Sequence, residues 1–238
     1  FYNAIKEYGG VNIDFVKPDI DLSKYKLVVM PAKYILTREN ANNIENYVEK
    51  GGILITTYRT GVKNCSNTVH EMTLPGYLRK IAGVRIEDYE SIPKENPYKV
   101  KVEDKIVDGA VLCDWIIPET AQIICSYDEN HLTEYAAATV NKYGNGKVYY
   151  IGIESFEMIK YVTGIALKES KIKNFGIMPE GIEISIRSDA MNEYIFILNH
   201  SDNLFEINLE GFDLLTGNEV SGNLKVQSDD VAVLKRSK

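Results

Sequence analysis

Two short apolar runs, Leu27-Val28-Val29-Met30-Pro31 and Ile53-Leu54-Ile55-Thr56-Thr57, bracket a stretch whose apolar residues recur at helical spacing. Runs that stay apolar at consecutive positions suit strands covered on both faces, as in a parallel sheet. Between them, Thr37 is a good helix N-cap, Ala41, Ile44, Tyr47 and Val48 form one stripe, and Gly51-Gly52 is a stop signal. Strand, helix and strand joined by short connections predict an α/β domain.

The flanks extend this reading. Phe1, Ala4, Ile5 and Tyr8 share one helical face up to Gly9-Gly10, and residues 11–16 alternate like a strand that Pro18 ends. After the second apolar run come Tyr58-Arg59-Thr60-Gly61, a polar loop through His70, and a short helix over 76–82 between Pro75 and Gly83. Residues 84–140 read as short polar strands in an antiparallel excursion, broken at Pro93, Pro97, Asp108-Gly109 and Pro118. Tyr143-Gly144-Asn145-Gly146 predicts a tight hairpin turn in which the Asn-Gly step supplies the positive φ angles. Phe156, Ile159, Val162 and Ala166 then place a closing helix over 154–168.

Beyond residue 180 the helical signals stop. Ile182, Ile184 and Ile186, the 194–198 run, and Phe205, Ile207 and Leu209 alternate with polar residues, as in a small antiparallel β-domain. The expected organisation is an α/β domain over 1–170, a linker over 171–180 and a β-sandwich-like domain over 181–238.

Composition excludes several function classes. The formal net charge is −7 with scattered basic residues, so no phosphate-binding footprint and no nucleic-acid partner are expected. No apolar stretch approaches the roughly 20 residues of a membrane span, and the N-terminus lacks a secretory pattern, so a cytoplasmic protein is expected. Cys65, Cys113 and Cys125 are odd in number and widely spaced, against a disulfide framework or a zinc site. His70, His131 and His200 show no metal-ligand spacing, and neither dinucleotide nor phosphate-loop glycine motifs occur, so no cofactor is expected.

Candidate chemistry is sparse. Glycoside hydrolysis needs two facing carboxylates. Glu154 is the best-placed single acid, and it reads more simply as a helix N-terminal acid. A cysteine nucleophile belongs on a sharp turn after a strand. That place holds Tyr58-Arg59-Thr60-Gly61, while Cys65 lies farther along, with His70 as its nearest possible base. Trp115 and the 16 tyrosines, Tyr58, Tyr77, Tyr89 and Tyr98 among them, suit packing or protein interfaces as well as sugar stacking.

The order of motifs resembles the region after the barrel of family 42 β-galactosidases. The segments that match are Tyr2 through Val16, Asp21-Leu22-Ser23-Lys24-Tyr25-Lys26-Leu27-Val28-Val29, and Tyr47-Val48-Glu49-Lys50-Gly51-Gly52 leading to Thr57-Tyr58-Arg59-Thr60-Gly61-Val62. Leu74-Pro75-Gly76 and Tyr143-Gly144-Asn145-Gly146-Lys147-Val148-Tyr149-Tyr150-Ile151-Gly152 follow in order. In the tail, Phe196-Ile197-Leu198-Asn199-His200-Ser201, Asp213-Leu214-Leu215-Thr216-Gly217 and Val231-Ala232-Val233-Leu234 agree as well.

The resemblance implies a flavodoxin-like, class I glutamine amidotransferase-like domain without its catalytic cysteine, followed by the small β-domain. It implies a homotrimer built through the α/β domain. It also implies a retaining mechanism whose catalytic glutamates lie on a (β/α)₈ barrel that alone meets the galactoside. None of those catalytic positions has a match here. The family's leading strand before the first helix is also lacking, which should leave a gap in the ladder or exposed apolar surface. Tyr58, Arg59 and His70 become candidates for the substrate entrance or an interface. The competing readings are an amidotransferase-like hydrolase using Cys65 and His70, and a carbohydrate-binding module.

Overall fold

The structure is a computed structural model that describes all residues, 1–238. It divides into two compact units, one of Phe1 with Val16–Lys171 and one of Tyr2–Phe15 with Ile172–Lys238.

The first helix, α1 (Tyr2–Lys6), belongs to the second of these units. The Gly9 and Gly10 N–H groups donate to Gly176 and Ile184 carbonyls, and the Asn12 side chain takes the Ile186 carbonyl. The strand expected over residues 11–16 does not form. Alternation marks a strand only where another backbone edge is free to pair, and here no ladder runs beside residues 12–17. Phe15 is left 84% exposed.

The first unit is built on one mixed sheet. Its strands are β1 (Leu27–Met30), β2 (Ile53–Thr57), β3 (Val84–Ile92), β4 (Tyr98–Val102), β5 (Lys105–Pro118), β6 (Gln122–Tyr127), β7 (Ala136–Tyr143), β8 (Gly146–Ile151) and β9 (Ile153–Glu154). They run in the order β1-β2-β8-β7-β6-β4-β5-β3, with β9 on β5. Only β1, β2 and β8 are parallel, with Leu54 beside Val28 and Val148.

The parallel strands are covered on both faces, as their composition requires. On one face Leu54, Val148 and Tyr150 pack with Ala41, Ile44, Tyr47 and Val48 of α2 (Arg38–Glu49), and with Ile81 and Ala82 of α3 (Arg79–Ala82). On the other, Ile53, Ile55, Tyr149 and Ile151 meet Met158, Val162 and Ala166 of α4 (Phe156–Ser170). Each such side chain taken from water contributes about 1.5–3 kcal/mol. Thr37 caps α2 by accepting from the Asn40 N–H at 3.2 Å.

Two turn expectations shift. Tyr143 pairs with Gly146, so the hairpin loop is Gly144-Asn145, and the positive φ, 56°, falls on Gly144 instead of on an Asn-Gly step. Gly146 serves another need, because a Cβ there would sit 2.2 Å from the Val48 and Gly52 carbonyl oxygens. Asp108-Gly109 is not a turn. It lies inside β5 opposite Lys99 and Tyr98, where Gly109 makes room for Ile153, and β4 turns into β5 at Glu103-Asp104.

In the second unit, β10 (Ile182–Ser188), β11 (Asn192–Asn199), β12 (Phe205–Asp213), β13 (Glu219–Val226) and β14 (Asp230–Ser237) form one antiparallel sheet in the order β10-β11-β14-β12-β13. β12 joins β14 only at Phe212 and Asp213, beyond Gly211. The β12–β13 hairpin thus turns its Leu209, Leu224 and Val226 onto the Ile195, Ile197 and Leu234 face. A corner in a single sheet does here what two stacked sheets would do in a sandwich.

Candidate functional site

The most heavily determined polar site lies at the carboxyl end of β2, where open α/β sheets commonly bind ligands. The loops after β1 and β2 are stitched together. Ala32 N–H donates to Thr57 Oγ1 at 2.8 Å, Lys33 N–H to Thr60 Oγ1 at 3.2 Å and Gly61 N–H to the Lys33 carbonyl at 2.9 Å. Gly61 has φ 72°, and a Cβ there would come within 2.8 Å of the Pro75 carbonyl oxygen.

Between these contacts Arg59 takes a left-handed backbone, φ 58°, which costs a non-glycine residue on the order of 1–2 kcal/mol. Its partners offset that cost. The Arg59 N–H donates to Asp114 Oδ2 at 2.9 Å, and the Tyr150 hydroxyl donates to the same oxygen at 2.8 Å. The guanidinium places Nη1 3.8 Å from Asp114 Oδ1, donates from Nη2 to the Tyr34 hydroxyl at 3.1 Å, and stacks 3.5 Å above the Tyr89 ring. Arg59 is 5% exposed and Asp114 2%. Burial pushes the Asp114 carboxyl up, against the opposing pull of the Arg59 N–H, the Tyr150 hydroxyl and the guanidinium.

The fold therefore keeps a strained strand-end elbow and fills its central position with a clamped arginine. Of the three expected site residues, Tyr58 and Arg59 sit on this elbow. The Tyr58 hydroxyl donates to Glu154 Oε2 at 2.6 Å; burial and that carboxylate both push the phenol up. His70 is apart from them. Its ring lies edge-on to Tyr77 at 4.9 Å, its backbone N–H donates to the Val62 carbonyl, and its Nε2 is buried without a partner.

Cys65 is exposed in the turn closed by Asn64 and Thr68, and no hydrogen bond links it to His70. A thiol nucleophile needs its base within about 3.2 Å. The other cysteines are buried, and burial pushes the Cys113 and Cys125 thiols up to about 12. Asp114 and Glu154, the two carboxylates nearest the elbow, do not form a hydrolytic pair. Asp114 is enclosed and committed to Arg59 and Tyr150.

Asp114 and Tyr34 escape the motif search, and the sequence gives Tyr89 and Tyr150 no role at the elbow. A signal for one of them exists: Asp114 is the lone charge in Val111-Leu112-Cys113-Asp114-Trp115-Ile116-Ile117, and a carboxylate inside an apolar strand is buried only when paired. On the strands of the second unit Phe212 is the one exposed aromatic, a poor platform for sugar stacking.

Residues 1–173 match the sequence model of the β-galactosidase trimerisation domain, and residues 181–236 that of the β-galactosidase C-terminal domain, both of glycoside hydrolase family 42. The chain belongs to the family 42 β-galactosidases. A β-galactosidase of Clostridium cellulovorans is 33% identical over 227 residues, 93% of this chain and 34% of that protein. One from Planococcus sp. is 30% identical, over 99% of this chain and 36% of that protein. The crystal structure of a β-galactosidase from Bacillus circulans sp. alkalophilus superposes with a TM-score of 0.91 at 26% identity, over 99% of this chain and 36% of that one. The chain thus spans about a third of the length of these relatives. No helix is long and apolar enough to cross a membrane.

Proposed function

We propose that this chain is the non-catalytic assembly and C-terminal region of a β-galactosidase acting on terminal β-D-galactosides. In this reading the catalytic glutamates belong to a (β/α)₈ barrel outside residues 1–238, and the galactoside is met only through that barrel. The α/β unit joins three copies in the cytoplasm. The observation that carries the reading is the elbow: where an amidotransferase-like domain would hold its nucleophile, Arg59 is buried and tied to Asp114. A flavodoxin-like, glutamine amidotransferase-like ancestry of the first unit belongs to the same reading, supported by helices on both faces of β1, β2 and β8.

Tyr58, Arg59 and His70 act here through the architecture of the strand-end loops and not on substrate. Sedimentation equilibrium of the chain tests the assembly half. The expected mass is three times 26.9 kDa; a monomer at every concentration overturns it.

A further inference from the structure

Away from the elbow, a buried acceptor and a buried donor without partners share one stretch of the first unit's sheet: Glu90 Oε2 and Trp115 Nε1. Glu90 of β3 stands opposite Cys113 of β5, and Trp115 follows two positions on, so alternation brings all three to one face. Cys113 and Ile92 are core residues of that face, and Trp115 packs against them. Diagonal neighbours on a sheet lie within reach of long side chains, yet these two polar atoms do not bond each other.

The surroundings are aromatic. The Tyr135 ring lies 5.1 Å from that of Trp115, and its hydroxyl donates to Glu87 Oε2 at 2.5 Å. Burial, and then the Glu90 carboxylate at its hydroxyl, push the Tyr98 phenol up to about 12. His131 Nε2 is 3.2 Å from the same hydroxyl, with the two rings edge-on at 5.2 Å. His131 and Tyr135 come from one turn, which the Asp128 N–H pins to the Lys99 carbonyl and Glu129 Oε1 to the Lys99 N–H. Glu90, Tyr98, Trp115 and Tyr135 are half-buried and His131 is exposed, so the cluster opens to solvent.

The unmet atoms define the ligand. A buried N–H and a carboxylate oxygen at neighbouring positions are satisfied together by a group that accepts and donates at once, which is a hydroxyl. An ammonium or guanidinium has no lone pair for the indole N–H. An anion is repelled by Glu90 and by Glu87, Asp88, Glu129 and Glu134 near it in the chain. Glu87, Asp88 and Glu129 already accept from the Tyr135 hydroxyl, the Tyr89 N–H and the Lys99 N–H, which leaves Glu90 to receive the ligand. Aromatic rings around a few fixed polar groups are the usual lining of a small-molecule site.

We propose that Glu90 and Trp115, walled by Tyr98, His131 and Tyr135, form a binding site for a neutral saccharide, one hydroxyl of which accepts from the indole and donates to the carboxylate. The site binds and does not react, and it neither needs nor alters the assembly reading above.

Trp115 is the chain's one tryptophan, so indole fluorescence reports this site alone. The test is a titration of the whole chain with galactose, lactose, cellobiose and mannose, and with choline and arginine as cationic comparisons, followed by indole emission and by calorimetry. At least one saccharide is expected to shift the emission saturably and to give a matching heat. E90Q is expected to weaken that binding roughly 10-fold or more, the effect of losing a charge-assisted hydrogen bond. W115F, which keeps a ring and removes the donor, is expected to weaken it as well, read by calorimetry. F212A, at the exposed aromatic of the second unit, is expected to change nothing. Circular dichroism melts establish that each variant is folded, and E90Q decides the matter where W115F is not. Emission and heat that no saccharide moves overturn the proposal, since the two atoms then serve solvent only. Binding of choline or arginine without any saccharide overturns it, and so does saccharide binding that folded E90Q retains in full.

Discussion

The elbow after β2 and the loop that follows it are a few residues apart and physically opposite. At the elbow, Arg59 and Asp114 are buried, share hydrogen bonds with Tyr150 and Tyr34, and hold a backbone conformation that would not persist alone. In the loop, Cys65 carries more conventional reactivity, is exposed, and has no base joined to it. The organised place has no nucleophile, and the nucleophile has no organisation. That separation, rather than the mere lack of a motif, speaks for an architectural role of this unit.

The contrast predicts a graded series of effects. D114A should be the most damaging change, costing about 3–5 kcal/mol in urea unfolding, because it leaves a buried guanidinium uncompensated. A loss below about 1 kcal/mol would mean that the clamp is not the organising element. Y150F should cost about 1–3 kcal/mol by withdrawing the second donor to the same carboxylate oxygen, read from the shift in denaturation midpoint. Removing the Glu154 contact with Y58F should cost less than about 1 kcal/mol, since the Glu154 end of that contact is exposed to solvent.

At the bottom of the scale, C65A should leave stability within about 0.5 kcal/mol of the parent. Native-state thiol labelling at pH 8, followed by mass spectrometry, should mark Cys65 alone. Cys113 and Cys125, held near 12 by burial, should react only after unfolding. Protection of Cys65 in the folded chain would break the comparison from the other side.

The parallel core is legible in the sequence because strands covered on both faces must be apolar at successive positions, and Leu27–Met30 and Ile53–Thr57 are. The closing helices follow from their stripes. What misleads is any signal that depends on a partner. Residues 11–16 alternate like a strand without a ladder to join. Gly109 and Gly146 resemble turn residues but are small because Ile153 and the Val48 and Gly52 carbonyls crowd them.

The site divides the same way. Arg59 is noticeable from its place after a strand, whereas Asp114, 55 residues away, becomes its partner only when β5 is laid beside the elbow. His70 looked close to Cys65 in sequence, yet its ring is directed to Tyr77.

Hydrolysis of a chromogenic β-galactoside by the 238-residue chain, with D114N and E154Q in parallel, tests the central claim most directly. The account predicts rates indistinguishable from buffer for all three proteins. Turnover by the parent chain that one of these carboxylate substitutions abolishes would contradict it.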